Sequence, residues 1–273
     1  MNIVNTLKKN KVLNSIMKPV TKQYRKRKYQ KYLASLGLNG KISYKDAMFD
    51  NITHYIAVGE SAMVNIENAL KASGKTFASL NEVLDIPSGH GRVLRLLVTK
   101  VPPERVTACD IDEDGINFCK KEFGCKKMLS SADISTIQFP VNYSLIWVGS
   151  LFTHLDKKAF SDLLVLLFNA LEPGGVLVFT THGKYSVEIF EKYWLAEKSA
   201  PVSNEQLQKE LEKTNGFYFA PYANSKDYGI SVSLKPYVIN LIETLFQNKA
   251  KVVMYKERGW DDHQDVFAIQ KLH

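Results

Sequence analysis

Residues 83–92 read Val-Leu-Asp-Ile-Pro-Ser-Gly-His-Gly-Arg, and they restrict what this chain can fold into more than any other stretch. Val83 and Leu84 close a short apolar run, Asp85 stands at its carboxyl end, and Gly89 and Gly91 follow. Residues 93–98 then read as the start of a helix. A strand feeding a glycine turn and then a helix is how an open α/β sheet builds a ligand crevice. Glycine is needed where the backbone takes positive φ or comes close to a ligand. The acid is the discriminating residue. Dinucleotide folds place a fingerprint glycine there and aim the helix N-terminus at a pyrophosphate. An acid beside the turn suits a cationic ligand better.

Further motifs follow in the same rhythm. Residues 106–110 read as a second buried strand ending in Asp110, about 20 residues past the turn, where a carboxylate accepts from both hydroxyls of a ribose diol. Nicotinamide enzymes share that feature, and Asp110 also reads as a helix cap. Asp112 and Asp114 suit the start of the next helix, where acids favour the dipole. A third strand, 127–129, leads to Ser131-Ala132-Asp133-Ile134. Residues 143–149 are a continuous apolar run that fits a strand buried on both faces. They end in Ser150-Leu151-Phe152-Thr153-His154-Leu155. A helix over 159–171, the turn Glu172-Pro173-Gly174-Gly175 and an apolar strand over 176–180 come next. The chain closes with strands at 251–255 and 265–270 around a polar turn, Gly259-Trp260-Asp261-Asp262.

Together these motifs resemble the class I S-adenosylmethionine-dependent methyltransferases, over roughly residues 50–185 and 228–271. The usual first motif of that class is acid-x-Gly-x-Gly-x-Gly. Asp85, Gly89 and Gly91 match it, and Pro87 replaces the first glycine, so that position offers no backbone N–H. The resemblance implies a Rossmann-like α/β fold: a seven-stranded, mostly parallel sheet, helices on both faces, and a terminal antiparallel hairpin that nicotinamide folds generally lack. It implies S-adenosylmethionine as cofactor. Asp85, Pro87, Gly89 and Gly91 would line its site, with Asp110 and Ile111 at the ribose and Asp133 and Ile134 at the adenine. Ser150 and Leu151 would border the methionine end. Asp133 equally reads as a polar loop residue. Residues 46–75 form a helical lead-in with Tyr55 to Glu60 at a turn. In the resembling class this segment often folds over the ligands, which makes Tyr55 and Glu60 candidates beside a capping and packing reading.

The organisation expected is a basic helical arm over 1–45, a methyltransferase domain over 46–273, and within it a cap insert over 184–227 that builds an acceptor pocket. The net charge is +8, but residues 1–45 hold 12 Lys or Arg and no acid. The remainder then carries 24 basic and 28 acidic residues, a balance of −4. The arm reads in three ways: a helix on an anionic membrane surface through residues 1–32, a nucleic-acid contact, or an extension packed on the domain or a second subunit. Membrane is preferred to nucleic acid because the apolar residues lie on one side of the basic run. No run approaches the roughly 18 apolar residues that span a bilayer. Cys109, Cys119 and Cys125 form no Cys-x-x-Cys pair and read as reduced thiols. The expected location is cytoplasmic, with possible peripheral attachment.

Methyl transfer to a hydroxyl gains from a base. His154 and His182 follow the fourth and fifth strands, where open sheets place ligands, and are the catalytic candidates. A satisfied structural histidine is the competing reading for each. His90 sits in the glycine turn and His263 in the terminal turn. No His, Asp and Glu spacing supports a metal site. The phrase Gly149-Ser150-Leu151-Phe152 is not the Asn-Pro-Pro-Tyr type used on amino groups. The pattern resembles small bacterial methyltransferases, several associated with cell-surface glycans, and so points to O-methylation of a saccharide or similar hydroxylated molecule. The rivals are a methyltransferase-like binding subunit without catalysis and an NAD-dependent oxidoreductase.

Overall fold

The computed structural model describes residues 31, 33–49, 51–189, 203–223, 225 and 227–273. Most of the basic arm, residues 1–30, lies outside the described residues, as does 190–202 of the cap.

Seven strands form one sheet in the order β3-β2-β1-β4-β5-β9-β8. These are β1 (Val83–Asp85), β2 (Val106–Asp110), β3 (Lys126–Leu129), β4 (Tyr143–Val148), β5 (Leu171–Thr181), β8 (Ala250–Trp260) and β9 (Gln264–Lys271). The first five run parallel, and β9 runs antiparallel to both β5 and β8. The expected Rossmann-like sheet with a terminal antiparallel pair is therefore present.

Strands buried on both faces explain the unbroken apolar runs. On β4, Leu145 and Trp147 enter one core while Ile146 and Val148 enter the other. On β5 the split is Val176 and Val178 against Leu177 and Phe179, and on β9 Val266 and Ala268 against Phe267 and Ile269. The first core is covered by α1 (Ile52–Ala72), α2 (Leu94–Leu97) and α3 (Glu113–Phe123). The second is covered by α4 (Lys157–Asn169) and α7 (Lys235–Phe246). The Glu172 to Gly175 segment is a bulge within β5 rather than a turn before it, because the register with β4 shifts between Tyr143 and Leu145.

Local expectations fail in three places. The helix expected from residue 93 is a single turn, α2, followed by turn structure. Tyr55 to Glu60 lie inside α1, which starts at the Asn51 cap, and not at a turn. The cap insert also reaches further than 227. It holds α5 (Lys184–Glu188), α6 (Asn204–Lys213) and a separate antiparallel pair, β6 (Phe217–Pro221) and β7 (Gly229–Ser233). Val187, Leu207, Leu211, Tyr218, Ile230 and Val232 give this unit its own small core.

The end of the N-terminal segment packs on the domain. Leu33, Leu38 and Ile42 are buried with Ile52, Tyr55, Ile56 and Leu96. Arg95, itself buried, fastens this segment to the glycine turn: Nη1 donates to the carbonyls of Asn39 (2.9 Å) and Lys41 (3.2 Å), and Nε to Gly91 (3.1 Å). Among the described residues no helix is long and apolar enough to cross a membrane.

Candidate active site

A cleft of about 300 Å³ opens at the carboxyl ends of β1, β2 and β4, with Trp260 from the terminal hairpin on its wall. Open α/β sheets place their ligands at this edge. Asp85, Pro87, Gly89 and Asp110 line it, as do Ser150, Leu151 and His154. The sheet order causes this convergence: β1 lies between β2 and β4, so three strand ends separated by tens of residues become neighbours.

The turn after β1 is shaped by its glycines. Gly89 has φ 49° and Gly91 has φ 80°. A Cβ on Gly91 would sit 2.5 Å from Phe123 Cε2 and 3.1 Å from Cys119 Sγ. Left-handed backbone costs roughly 1–2 kcal/mol for an ordinary residue, and overpacking costs about 1–3 more. Gly91→Ala is accordingly expected to lower the thermal midpoint by on the order of 5–10 °C, read by calorimetry. A midpoint unchanged from the parent would refute the steric account of this turn.

Buried polar groups without a protein partner cluster at this turn. Among the described residues, Asp85 Oδ2, Ser88 Oγ and His90 Nε2 are buried without a hydrogen-bond partner, and all three residues line the cleft. Buried polar atoms are normally hydrogen-bonded, so three such atoms on one cleft wall suit a polar ligand. Burial, reinforced by the nearby Asp110 charge, holds the Asp85 carboxyl well above the ordinary carboxylate range, against the opposing pull of Arg92. A cation in the cleft favours its ionised form. Asp110 accepts from the Gly89 N–H (2.7 Å, Oδ2) and the Asp112 N–H (2.9 Å, Oδ1). Each oxygen keeps a lone pair for a further donor.

At the other end Ser150 takes φ 60°, an uncommon conformation outside glycine. Its N–H donates to Thr180 Oγ1 (2.9 Å), while Gln264 Nε2 donates to its hydroxyl (2.8 Å) and Thr180 Oγ1 donates to Gln264 Oε1 (2.6 Å). The terminal hairpin thus locks the loop after β4. His154 lies beside this loop. Its Nδ1 is 2.8 Å from the Gly229 carbonyl and 3.1 Å from the Tyr222 hydroxyl. A carbonyl only accepts, so Nδ1 carries the proton and Nε2 keeps the lone pair. Burial holds the His154 imidazole below its ordinary range, partly offset by the Gly229 bond.

The remaining candidates are placed elsewhere. His182 is buried outside the cleft lining, with Nδ1–H donating to Ser231 (3.1 Å) and its ring edge-on to His263 at 5.4 Å. Burial, together with the neighbouring His263 and His154, pushes it down to about 3. The structure therefore does not bring His182 to the cleft with His154. Tyr55 is buried behind the wall and donates to Asp46 Oδ2 (2.8 Å), and it is Asp46 that lines the cleft. Glu60 is exposed on α1. Gly91 and Ile111 lie outside the lining, Gly91 packed against Phe123 and Ile111 64% exposed. Asp133 and Ile134 lie outside it too. The exposed Asp133 carboxylate caps the following turn by accepting from the Ser135 N–H (3.0 Å) and hydroxyl (2.6 Å). Lining residues that the sequence reading did not assign to a site include Asp46, Arg92, Trp147, Tyr228 and Trp260. Arg92 adjoins the turn and stacks over Trp260 at 5.5 Å, and its place beside Gly91 was the one available signal. Among the described residues no cluster of His, Cys, Asp and Glu suits a metal.

Residues 83–175 match the family model described as a methyltransferase domain. Over 109 residues the chain is 30% identical to the malonyl-[acyl-carrier protein] O-methyltransferase of Priestia megaterium (strain DSM 319 / IMG 1521), covering 37% of this chain and 36% of that protein. The match thus spans about a third of that relative's length. Among solved structures, an O-methyltransferase family protein from Burkholderia thailandensis is similar with TM-score 0.52 at 13% identity, covering 81% of this chain and 58% of that one. An S-adenosylmethionine-dependent methyltransferase from Clostridium acetobutylicum ATCC 824 follows with TM-score 0.50 at 14% identity, covering 82% and 93%. The plantazolicin methyltransferase BpumL, solved with S-adenosylhomocysteine, is similar with TM-score 0.50 at 14% identity, covering 81% and 85%. The fold is the Rossmann-like methyltransferase fold.

Proposed function

We propose that the chain transfers a methyl group from S-adenosylmethionine to a hydroxyl of a saccharide or similar hydroxylated small molecule. The observation that carries the cofactor half is the acid-lined turn, with Asp85, Ser88 and His90 each leaving a buried polar atom without a partner among the described residues. That set suits a ligand bearing both an ammonium and a sulfonium, and it does not suit a pyrophosphate, which an acid would repel. The methyltransferase-domain match over 83–175 and the S-adenosylhomocysteine held by a similar fold support the same ligand.

Asp110 would accept from the ribose hydroxyls, Asp85 would face the positive charge, and the Ser150 and Leu151 loop would border the methionine end. When bound, S-adenosylmethionine would supply an electrophilic methyl carbon to the acceptor oxygen, with the carbon–sulfur electron pair left on sulfur. His154 Nε2 takes the hydroxyl proton and passes it to water. The walls hold the reactants in line, and such positioning supplies several kcal/mol of the barrier reduction. Oxygen as the acceptor atom fits the unprotonated Nε2, because an alcohol must lose a proton and an anionic acceptor need not. The O-methyltransferase names of the Priestia and Burkholderia proteins lean the same way. The saccharide class rests on the sequence resemblance and on the aromatic side chains of Trp147, Tyr228 and Trp260 in the cleft lining.

Titration calorimetry with S-adenosylmethionine, S-adenosylhomocysteine and NAD tests the cofactor. The two adenosyl amino acids are expected to bind and NAD to give no heat. Burial favours the protonated Asp85 carboxyl and a bound cation favours its ionised form, so affinity should rise with pH. Binding of NAD alone would overturn the reading.

A further inference from the structure

We infer that the β6–β7 hairpin of the cap is the element that orients the base, with Tyr222 and Tyr228 acting as positioning residues for His154. The inference rests on the methyl-transfer reading for its purpose, but its geometry stands apart from the cofactor. His154 belongs to the turn Phe152–His154 that follows β4, yet the ring contacts that fix it come from a hairpin about 70 residues later. Tyr228 stacks on the imidazole with centroids 5.0 Å apart and planes 26° apart. Tyr222 approaches it with centroids 6.1 Å apart and packs on Tyr228 at 5.8 Å. Gly229 supplies the carbonyl that receives Nδ1–H.

The main chain is tied to the same hairpin. Buried Ser231 donates its hydroxyl to the Phe152 carbonyl at 2.8 Å, and Leu155 forms an antiparallel bridge with Tyr228. The Tyr222 N–H donates to the Tyr228 carbonyl at 3.1 Å, which closes the hairpin tip. Gly229 has no substitute here, because a Cβ would fall 2.0 Å from the Ala220 carbonyl oxygen. The hairpin strands must therefore approach closely for the Gly229 carbonyl to reach the imidazole.

The consequence is a choice of tautomer. A neutral imidazole has one N–H, and which nitrogen carries it is set by the partner of the other. Free histidine prefers the proton on Nε2, which would leave that nitrogen unable to accept from a hydroxyl. Docking of the hairpin places an acceptor at Nδ1 and moves the proton there. The cap thus acts on the chemistry, and the base is assembled only when cap and sheet are together.

Long-range proton–nitrogen correlation spectra of the full-length, nitrogen-15-labelled protein read the tautomer directly, at a pH where His154 is neutral. The wild-type protein is expected to show His154 protonated on Nδ1. Tyr228→Leu should give a mixture with Nε2 protonated, whereas Tyr228→Phe, which keeps the stacking face, should retain the wild-type tautomer. A wild-type His154 protonated on Nε2 overturns the inference without any variant, and so does a Tyr228→Leu protein with the wild-type tautomer. Failure of S-adenosylhomocysteine to bind would instead remove the methyl-transfer reading and leave the tautomer assignment standing.

Discussion

His154→Ala is expected to lower S-adenosylhomocysteine production from a saccharide acceptor by about 10²–10⁴-fold, the usual contribution of a positioned general base. Cofactor affinity should change little, since the His154 ring is held by the cap hairpin and not by the glycine turn. The pH profile carries the same information. The base works only when neutral, and burial holds its titration below the ordinary histidine range. The rate should therefore be level at neutral pH and fall as the solution becomes more acidic than that range. His182→Ala provides the contrast: its ring lies outside the cleft, so any loss should come through stability and should not alter the shape of the pH profile. Full turnover in His154→Ala would show that the acceptor needs no proton removed, as an anionic carboxylate does not.

Asp110→Ala is expected to weaken S-adenosylhomocysteine binding by about 10–150-fold, equivalent to about 1.5–3 kcal/mol for a charge-assisted hydrogen bond. The carboxylate has two tasks. It anchors the turn through the Gly89 N–H at 2.7 Å and the following helix through the Asp112 N–H at 2.9 Å, and in the proposed site its remaining lone pairs would accept from a diol. Asp110→Asn preserves the shape and one acceptor oxygen, so it should fall between parent and alanine variant. Calorimetry measures both. Equal affinity in all three proteins would remove Asp110 from the cofactor site and with it the adenosyl assignment.

The contrast between Asp110 and Asp133 shows why one acid of a motif pair is easier to place than the other. Asp110 ends a strand beside the strand that carries the turn, so hydrogen bonding between β1 and β2 delivers it to the cleft. Asp133 lies past the edge strand β3 in a turn of its own, where Ser135 satisfies its carboxylate locally. Tyr55 tells a similar story. An aromatic hydroxyl near a glycine read as a turn, but Asn51 caps a helix four residues earlier, and α1 carries Tyr55 into a buried contact with Asp46.

The sequence by itself determined the sheet and the glycine turn that follows its first strand. Apolar runs can hide on both faces only between two layers of helices, and Gly89 and Gly91 take backbone angles that other residues resist. Those are local constraints, and local constraints are written in adjacent residues. Only the tertiary structure separated His154 from His182. Both follow strands, and no spacing distinguishes them. Their difference comes from a hairpin distant in sequence, which offers the Gly229 carbonyl to one imidazole at the cleft and the Ser231 carbonyl to the other in the interior. Arg92 and Trp260 likewise meet on the cleft wall because β8 returns along the sheet past α1, where Trp260 Nε1 donates to the Val58 carbonyl at 2.9 Å. Such pairings depend on which surfaces pack together, and the order of residues does not state that until the chain has closed on itself.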